Sequence, residues 1–66
     1  MMTVTVNGED MTLRPDASVA ELLRSMGLPD RGIAVAVDGV VVPRGSWSTA
    51  LHAGAGVEIV TAVQGG

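Results

Sequence analysis

The sequence predicts an α+β fold: a mixed sheet of about five strands with one main helix packed on one face. Three observations carry that prediction. Two tight-turn dipeptides, Asn7-Gly8 and Asp38-Gly39, each separate two short runs of strand-like residues. One stretch alone, around Val19, Leu22, Leu23 and Met26, has apolar residues at helical spacing. The chain then closes on an apolar, β-branched run that begins at Val57.

The size and composition set the limits. Sixty-six residues allow a single domain, residues 1–66, with room for one small core. There is no cysteine, so neither a disulfide nor a thiolate metal site supports that core. A hydrophobic content of 47% against 17% charged excludes a disordered chain, and with Trp47 the only aromatic residue the core must be mostly aliphatic. No apolar stretch approaches the length of a membrane span, and Met1-Met2-Thr3-Val4 lacks the basic start of a signal peptide. The chain is therefore expected to be soluble and cytoplasmic, with no membrane partner.

Net charge is −3, and Arg14, Arg24, Arg31 and Arg44 are scattered rather than clustered. That distribution excludes the basic footprint that nucleic acid demands. An acidic surface suits docking on a basic patch of another protein, or simply aids solubility. There is no lysine, so an activated acyl group on one copy would meet no side-chain amine on another.

Met2-Thr3-Val4-Thr5-Val6 alternates in period two and reads as a half-buried strand. Asn7-Gly8 turns it back, and residues 9–14 alternate again with Met11 and Leu13 inward, until Pro15 ends the strand. Ser18 followed by Glu21 is a capping-box pattern, with Asp16 adding negative charge near the helix start. Val19, Leu22, Leu23 and Met26 form one apolar stripe over about two and a half turns. Gly27 and Pro29 stop the helix.

Ile33-Ala34-Val35-Ala36-Val37 is the next strand, its large residues on the helix-facing side and its alanines on the other. Asp38-Gly39 turns it into the short strand Val40-Val41-Val42, ended by Pro43. Residues 44–53 are irregular, with one helical turn expected around Ser46-Trp47-Ser48-Thr49. Gly54-Ala55-Gly56 is a turn into the final strand, and a flexible Gly-Gly tail over residues 64–66 is expected to follow it.

The order β-β-α-β-β-β with a single helix is that of a β-grasp, or ubiquitin-like, fold. In it the last strand lies parallel to the first, in the middle of the sheet, and everything between Asn7 and Gly56 supplies the crossover. A central position accounts for the apolar character of Val57, Ile59, Val60, Ala62 and Val63.

Along nearly its whole length the chain resembles the ThiS family, the sulfur carrier proteins of thiamine (thiazole) biosynthesis. The resemblance rests on Asn7-Gly8-Glu9, on Val42-Pro43-Arg44-x-x-Trp47, and on Gly56-x-Glu58-Ile59-Val60 leading to Val63-Gln64-Gly65-Gly66. The Val-Pro-Arg-x-x-Trp spacing is the most family-specific piece; a Gly-Gly end is common to ubiquitin-like carriers. The resemblance implies that a ThiF-type adenylating enzyme uses ATP to adenylate Gly66. Sulfur drawn from cysteine through a desulfurase or rhodanese then makes a C-terminal thiocarboxylate, which thiazole synthase (ThiG) consumes. The chain itself would bind no cofactor or metal and hold no catalytic residue of its own.

The residues fit that chemistry. With no cysteine, the place left to hold sulfur is the Gly66 carboxylate, and Gln64, Gly65 and Gly66 offer no bulk to obstruct a narrow site. Alternation leaves Ala34, Ala36, Val60 and Ala62 on the sheet face away from the helix, a candidate partner surface. Arg44 either pairs with an acidic groove on a partner or caps its own loop. Trp47 reads as a packing anchor, and His52 as a loop residue with no carboxylate motif beside it in sequence. The competing readings are a carrier of another pathway (resembling the small subunit of molybdopterin synthase, or serving cysteine biosynthesis), a protein-conjugating modifier, or a non-catalytic β-grasp binding module.

Overall fold

The two tight turns form as their residue types require. In the computed structural model, which describes residues 1–29 and 31–61, Asn7 and Gly8 have φ of 50° and 85°, and Asp38 and Gly39 have 51° and 84°. Two consecutive positive φ values define the type I′ turn, whose twist matches that of the strands it joins. The first turn links β1 (Met2–Val6) to β2 (Glu9–Leu13), the second β3 (Ile33–Val37) to β4 (Val40–Val42). The last strand, β5 (Gly56–Thr61), enters between the hairpins, so the order is β2-β1-β5-β3-β4. It runs parallel to β1 and antiparallel to β3. This is the β-grasp arrangement, with the closing strand central as the sequence predicts.

β5 begins one residue before Val57, and Asp38 is the reason. The Asp38 N–H donates to the Gly56 carbonyl (2.8 Å), and its carboxylate accepts the Gly56 N–H (2.9 Å).

α1 spans Val19–Ser25, seven residues or about two turns, shorter than the two and a half expected. Ser18 Oγ accepts the Glu21 N–H (3.2 Å) as the N-cap. The Glu21 carboxylate takes a two-pronged grip from Arg14, Nε to Oε2 at 2.7 Å and Nη2 to Oε1 at 2.6 Å, which ties the end of β2 to the first turn of the helix. That grip, with help from the Ser18 N–H, holds the Glu21 carboxyl below its usual range. At the far end the Gly27 N–H reaches Arg24 O and the Leu28 N–H reaches Leu23 O, a Schellman closure around Gly27 at φ 73°.

That closure corrects the apolar stripe. Met26 is the C-cap, where the chain leaves the helix, and it is 37% exposed rather than packed. Val19, Leu22 and Leu23 do face the sheet. They join Val4, Val35 and Val57 in one core, and Ile33, expected inside as well, is half-buried at its edge.

The irregular segment after β4 contributes more core than its sequence suggests. Trp47, Leu51 and Ala55 are all buried. A short 3₁₀ turn, Arg44–Ser46, precedes Trp47, two residues earlier than the expected turn. Trp47 is a packing anchor: its ring is buried and its indole N–H donates to the Val42 carbonyl (3.1 Å). Its own carbonyl accepts the Ala20 N–H (3.0 Å), and the Leu51 N–H donates to Ala17 O (2.7 Å). The first turn of α1 has N–H groups with no partner inside the helix, and this segment supplies one. Among the described residues, no helix is long and apolar enough to cross a membrane.

Candidate functional site

Strand alternation puts one set of side chains on the open face of the sheet. The register pairs Ala34 with Val60, and Ala36 with both Glu58 and Val41. These five residues with the edge of Val35 line a shallow depression of about 200 Å³. Val41 and Val60 are 68% and 63% exposed, so the patch is apolar and open. Across β5 the same face turns polar, where Thr3 pairs with Thr12 and Thr5 with Asp10. The apolar patch is therefore confined to β3, β4 and the second half of β5, next to Thr61, the last described residue of the strand.

The structure brings together Ala34, Ala36 and Val60. It adds Val41 and Glu58, which sequence reasoning missed. Val41 sits in a run of three valines without alternation, so its side could not be read until its pairing with Ala36 was known. Arg44 stands elsewhere. It lines a cleft of about 520 Å³ between α1 and the 3₁₀ turn, together with Arg24, Leu23 and Trp47. Ala62, Gln64, Gly65 and Gly66 lie outside the described residues. The last described pair of β5 is Thr61 with Ile33.

Two side chains hold β5 from the turns at its flanks. Asn7 Oδ1 accepts the Ile59 N–H (2.8 Å) and Asn7 Nδ2 donates to the Ile59 carbonyl (3.2 Å). Asp38 holds Gly56, and its second oxygen lies 2.6 Å from His52 Nε2. His52 thus has a carboxylate partner that its sequence neighbourhood does not reveal, supplied from fourteen residues away. Its other ring nitrogen, Nδ1, lies 2.9 Å from the Ala53 carbonyl. Both nitrogens face acceptors, a geometry that the doubly protonated imidazolium satisfies fully. The Asp38 hydrogen bond, followed by that to Ala53, accordingly raises the His52 pKa above its usual value. The Gly56 N–H, followed by His52, lowers that of Asp38. The pair ties the β3–β4 turn to the loop before β5, a positioning contact for the strand's entry.

The model of the ThiS family matches residues 4–66, nearly the entire chain and the Gly-Gly end with it. The chain belongs to the ThiS family. Members of this family are small sulfur carriers of thiamine biosynthesis. The chain is similar to the crystal structure of the thiamine biosynthesis protein ThiS from Geobacter metallireducens. Identity is 29% and the TM-score 0.78, over 98% of this chain and 100% of that one. It is equally similar to the NMR solution structure of a thiamine biosynthesis protein from the same organism, with 29% identity and a TM-score of 0.77 over 98% of this chain and 88% of that one. No curated protein matches significantly.

Proposed function

We propose that this ThiS-family chain carries sulfur on Gly66 as a C-terminal thiocarboxylate for the synthesis of the thiamine thiazole. A ThiF-type enzyme first makes the Gly66 carboxylate an electrophile: a carboxylate oxygen attacks the α-phosphate of ATP and pyrophosphate leaves. Sulfur delivered from cysteine through a desulfurase or rhodanese then displaces AMP from the acyl carbon. Thiazole synthase takes the sulfur from the resulting thiocarboxylate and returns the carrier. In this scheme the chain is a co-substrate of other enzymes.

The observation that carries the proposal is the span of the family match, which runs through Gly65 and Gly66. The placing of β5 supports it. The strand that leads toward Gly66 is paired with β1 at Gly56 and Val57 and with β3 as far as Thr61, so the acyl donor follows an anchored strand. The open face of Ala34, Ala36 and Val60 is the surface on which the activating enzyme and thiazole synthase dock in turn. Val60 on this face precedes Gly66 by only six residues in sequence, which suits a partner that takes up both.

The test is ATP–pyrophosphate exchange with the cognate activating enzyme. Gly66→Ala places a methyl beside the acyl carbon and restricts φ, and is expected to depress exchange while leaving the melting curve unchanged. Deleting Gly66 shortens the reach by about 3.5 Å and is expected to abolish exchange. One residue appended after Gly66 moves the reactive carboxylate to the wrong residue and has the same expected outcome. An intact mass of carrier purified with its partners should show one oxygen replaced by sulfur. Parent-rate exchange in all three variants would contradict the carrier reading.

A further inference from the structure

We infer that Asn7 is the residue that positions the outgoing half of β5: its carboxamide replaces a missing strand neighbour and holds the root of the segment that continues to Gly66. The functional half of this statement rests on the carrier reading above; the structural half does not.

The two central strands overlap only briefly. β1 pairs with β5 only at Thr5↔Gly56 and Val6↔Val57. There β1 ends and the chain turns back into β2. β5 continues through Glu58, Ile59, Val60 and Thr61, which pair with β3 on one side. On the other side the ladder stops with the Asn7 N–H donating to the Val57 carbonyl (2.9 Å). Alternation makes the backbone of Ile59 the next to face that side. Where a strand residue would have met it, the Asn7 side chain does so, accepting its N–H at 2.8 Å and donating to its carbonyl at 3.2 Å. These partners lie 52 residues apart in sequence.

The residue type is what the position demands. A backbone surrogate needs one donor and one acceptor on the same planar group, which a carboxamide provides and a carboxylate or hydroxyl does not. The site also needs φ of 50°, which asparagine tolerates better than most residues with a Cβ. Glutamine would reach too far and lacks that tolerance. Without the clamp, the Ile59 N–H and carbonyl lose their protein partner, and the outgoing half of β5 hangs from β3 alone. A root already ordered in the free protein spares an enzyme that takes up the chain end the cost of ordering it on binding. Its loss therefore falls on apparent affinity rather than on the chemical step.

The test compares the wild-type chain with Asn7→Gly, which keeps the turn and removes the clamp, and Asn7→Asp, which keeps the acceptor and loses the donor. Amide hydrogen exchange is read at Glu58 and Val60, which pair with β3 and do not touch Asn7, with Val4 and Val35 as core controls. ATP–pyrophosphate exchange with the activating enzyme gives KM and kcat for each carrier. In Asn7→Gly, exchange at Glu58 and Val60 is expected to rise about tenfold or more, the effect of losing both hydrogen bonds of the carboxamide, with the controls unchanged. KM is expected to rise by about the same factor while kcat moves less than about twofold. Asn7→Asp should fall between. Equal acceleration at Val4, Val35 and Val60 would make Asn7 a general stabiliser and overturn the inference, as would an unchanged Val60 or a loosened strand with an unchanged KM. If the wild-type chain is no substrate for the enzyme, the carrier reading fails, and hydrogen exchange alone decides whether Asn7 holds β5.

Discussion

Leu22→Ala is the sharpest test of how helix and sheet are held together. Leu22 is 0% exposed, and Val4, Val19, Val35 and Val57, the other large side chains that are fully buried, share its core. Truncation to alanine removes three carbons, or about 2.4 kcal/mol of transfer free energy at about 0.8 kcal/mol per buried methylene. The space left adds to that loss unless the surroundings collapse, and total costs for such changes run from about 2.7 to 5.0 kcal/mol. Collapse is hard here. Three of those four neighbours are β-branched residues held on hydrogen-bonded strands, with one stiff side-chain torsion each. The expected loss is therefore about 3–5 kcal/mol. A domain of this length has about 3–10 kcal/mol in total, at about 0.05–0.15 kcal/mol per residue. The variant should thus melt at least about 12 °C lower, at about 4 °C per kcal/mol, or be partly unfolded at room temperature. Urea titration followed by circular dichroism measures the loss directly, with an unchanged slope showing that the unfolded state is the same. Met26→Ala is the control. At 37% exposure it should cost less than about 1 kcal/mol. A Leu22→Ala loss below about 1 kcal/mol, or a Met26→Ala loss as large as that of Leu22→Ala, would refute the core described here.

Val60→Asp sets a second negative charge beside Glu58 on the open face. With Val60 63% exposed, the fold should be retained while affinity for the activating enzyme and for thiazole synthase falls about tenfold or more, as calorimetry would show. Unaltered binding to both by a folded variant would remove that face as the docking surface. The Asp38–His52 pair predicts a pH dependence. The raised His52 pKa adds stability that is complete below about pH 6.5 and is lost as pH rises through the folded value. The lowered Asp38 pKa adds stability that is present above about pH 3.9 and is lost as pH falls through its folded value. The contact is thus strongest between about pH 4 and 6.5, and because both groups are exposed its effect is small and salt-sensitive. Melting temperatures taken from pH 5.5 to 8.5 should fall more for the wild type than for His52→Ala; parallel curves would mean that the pair does not stabilise the fold.

The features legible in the sequence are those set by a few neighbouring residues acting on their own backbone. Asn7-Gly8 and Asp38-Gly39 make type I′ turns because few other residue pairs accept two positive φ values, so both hairpins could be placed without knowledge of the fold. Ser18, the stripe of Val19, Leu22 and Leu23, and Gly27 mark one helix by the same local logic. The alternation of Ile33, Val35 and Val37 with alanines reveals which side of β3 is buried. The family signature and its Gly-Gly end need no tertiary structure either.

Tertiary structure decided what depends on residues far apart in sequence. Met26 follows the helical stripe, yet the Schellman closure turns the chain at that residue and leaves it exposed. Arg44 follows a strand that borders the open face, but the 3₁₀ turn carries it to the cleft beside Arg24. Trp47, Leu51 and Ala55 lie in a stretch with no periodicity, and their burial goes with backbone hydrogen bonds to Ala20, Ala17 and Thr5, residues far away in sequence. Above all, Asn7 and Asp38 each do more than turn a hairpin. Once the crossover places β5 between the hairpins, their side chains reach its backbone at Ile59 and Gly56. A turn preference is an energy of one or two residues and can be read wherever they occur. A hydrogen bond between residues 7 and 59 exists only after the fifty-one intervening residues have folded into a crossover of the right length, and no local pattern encodes that.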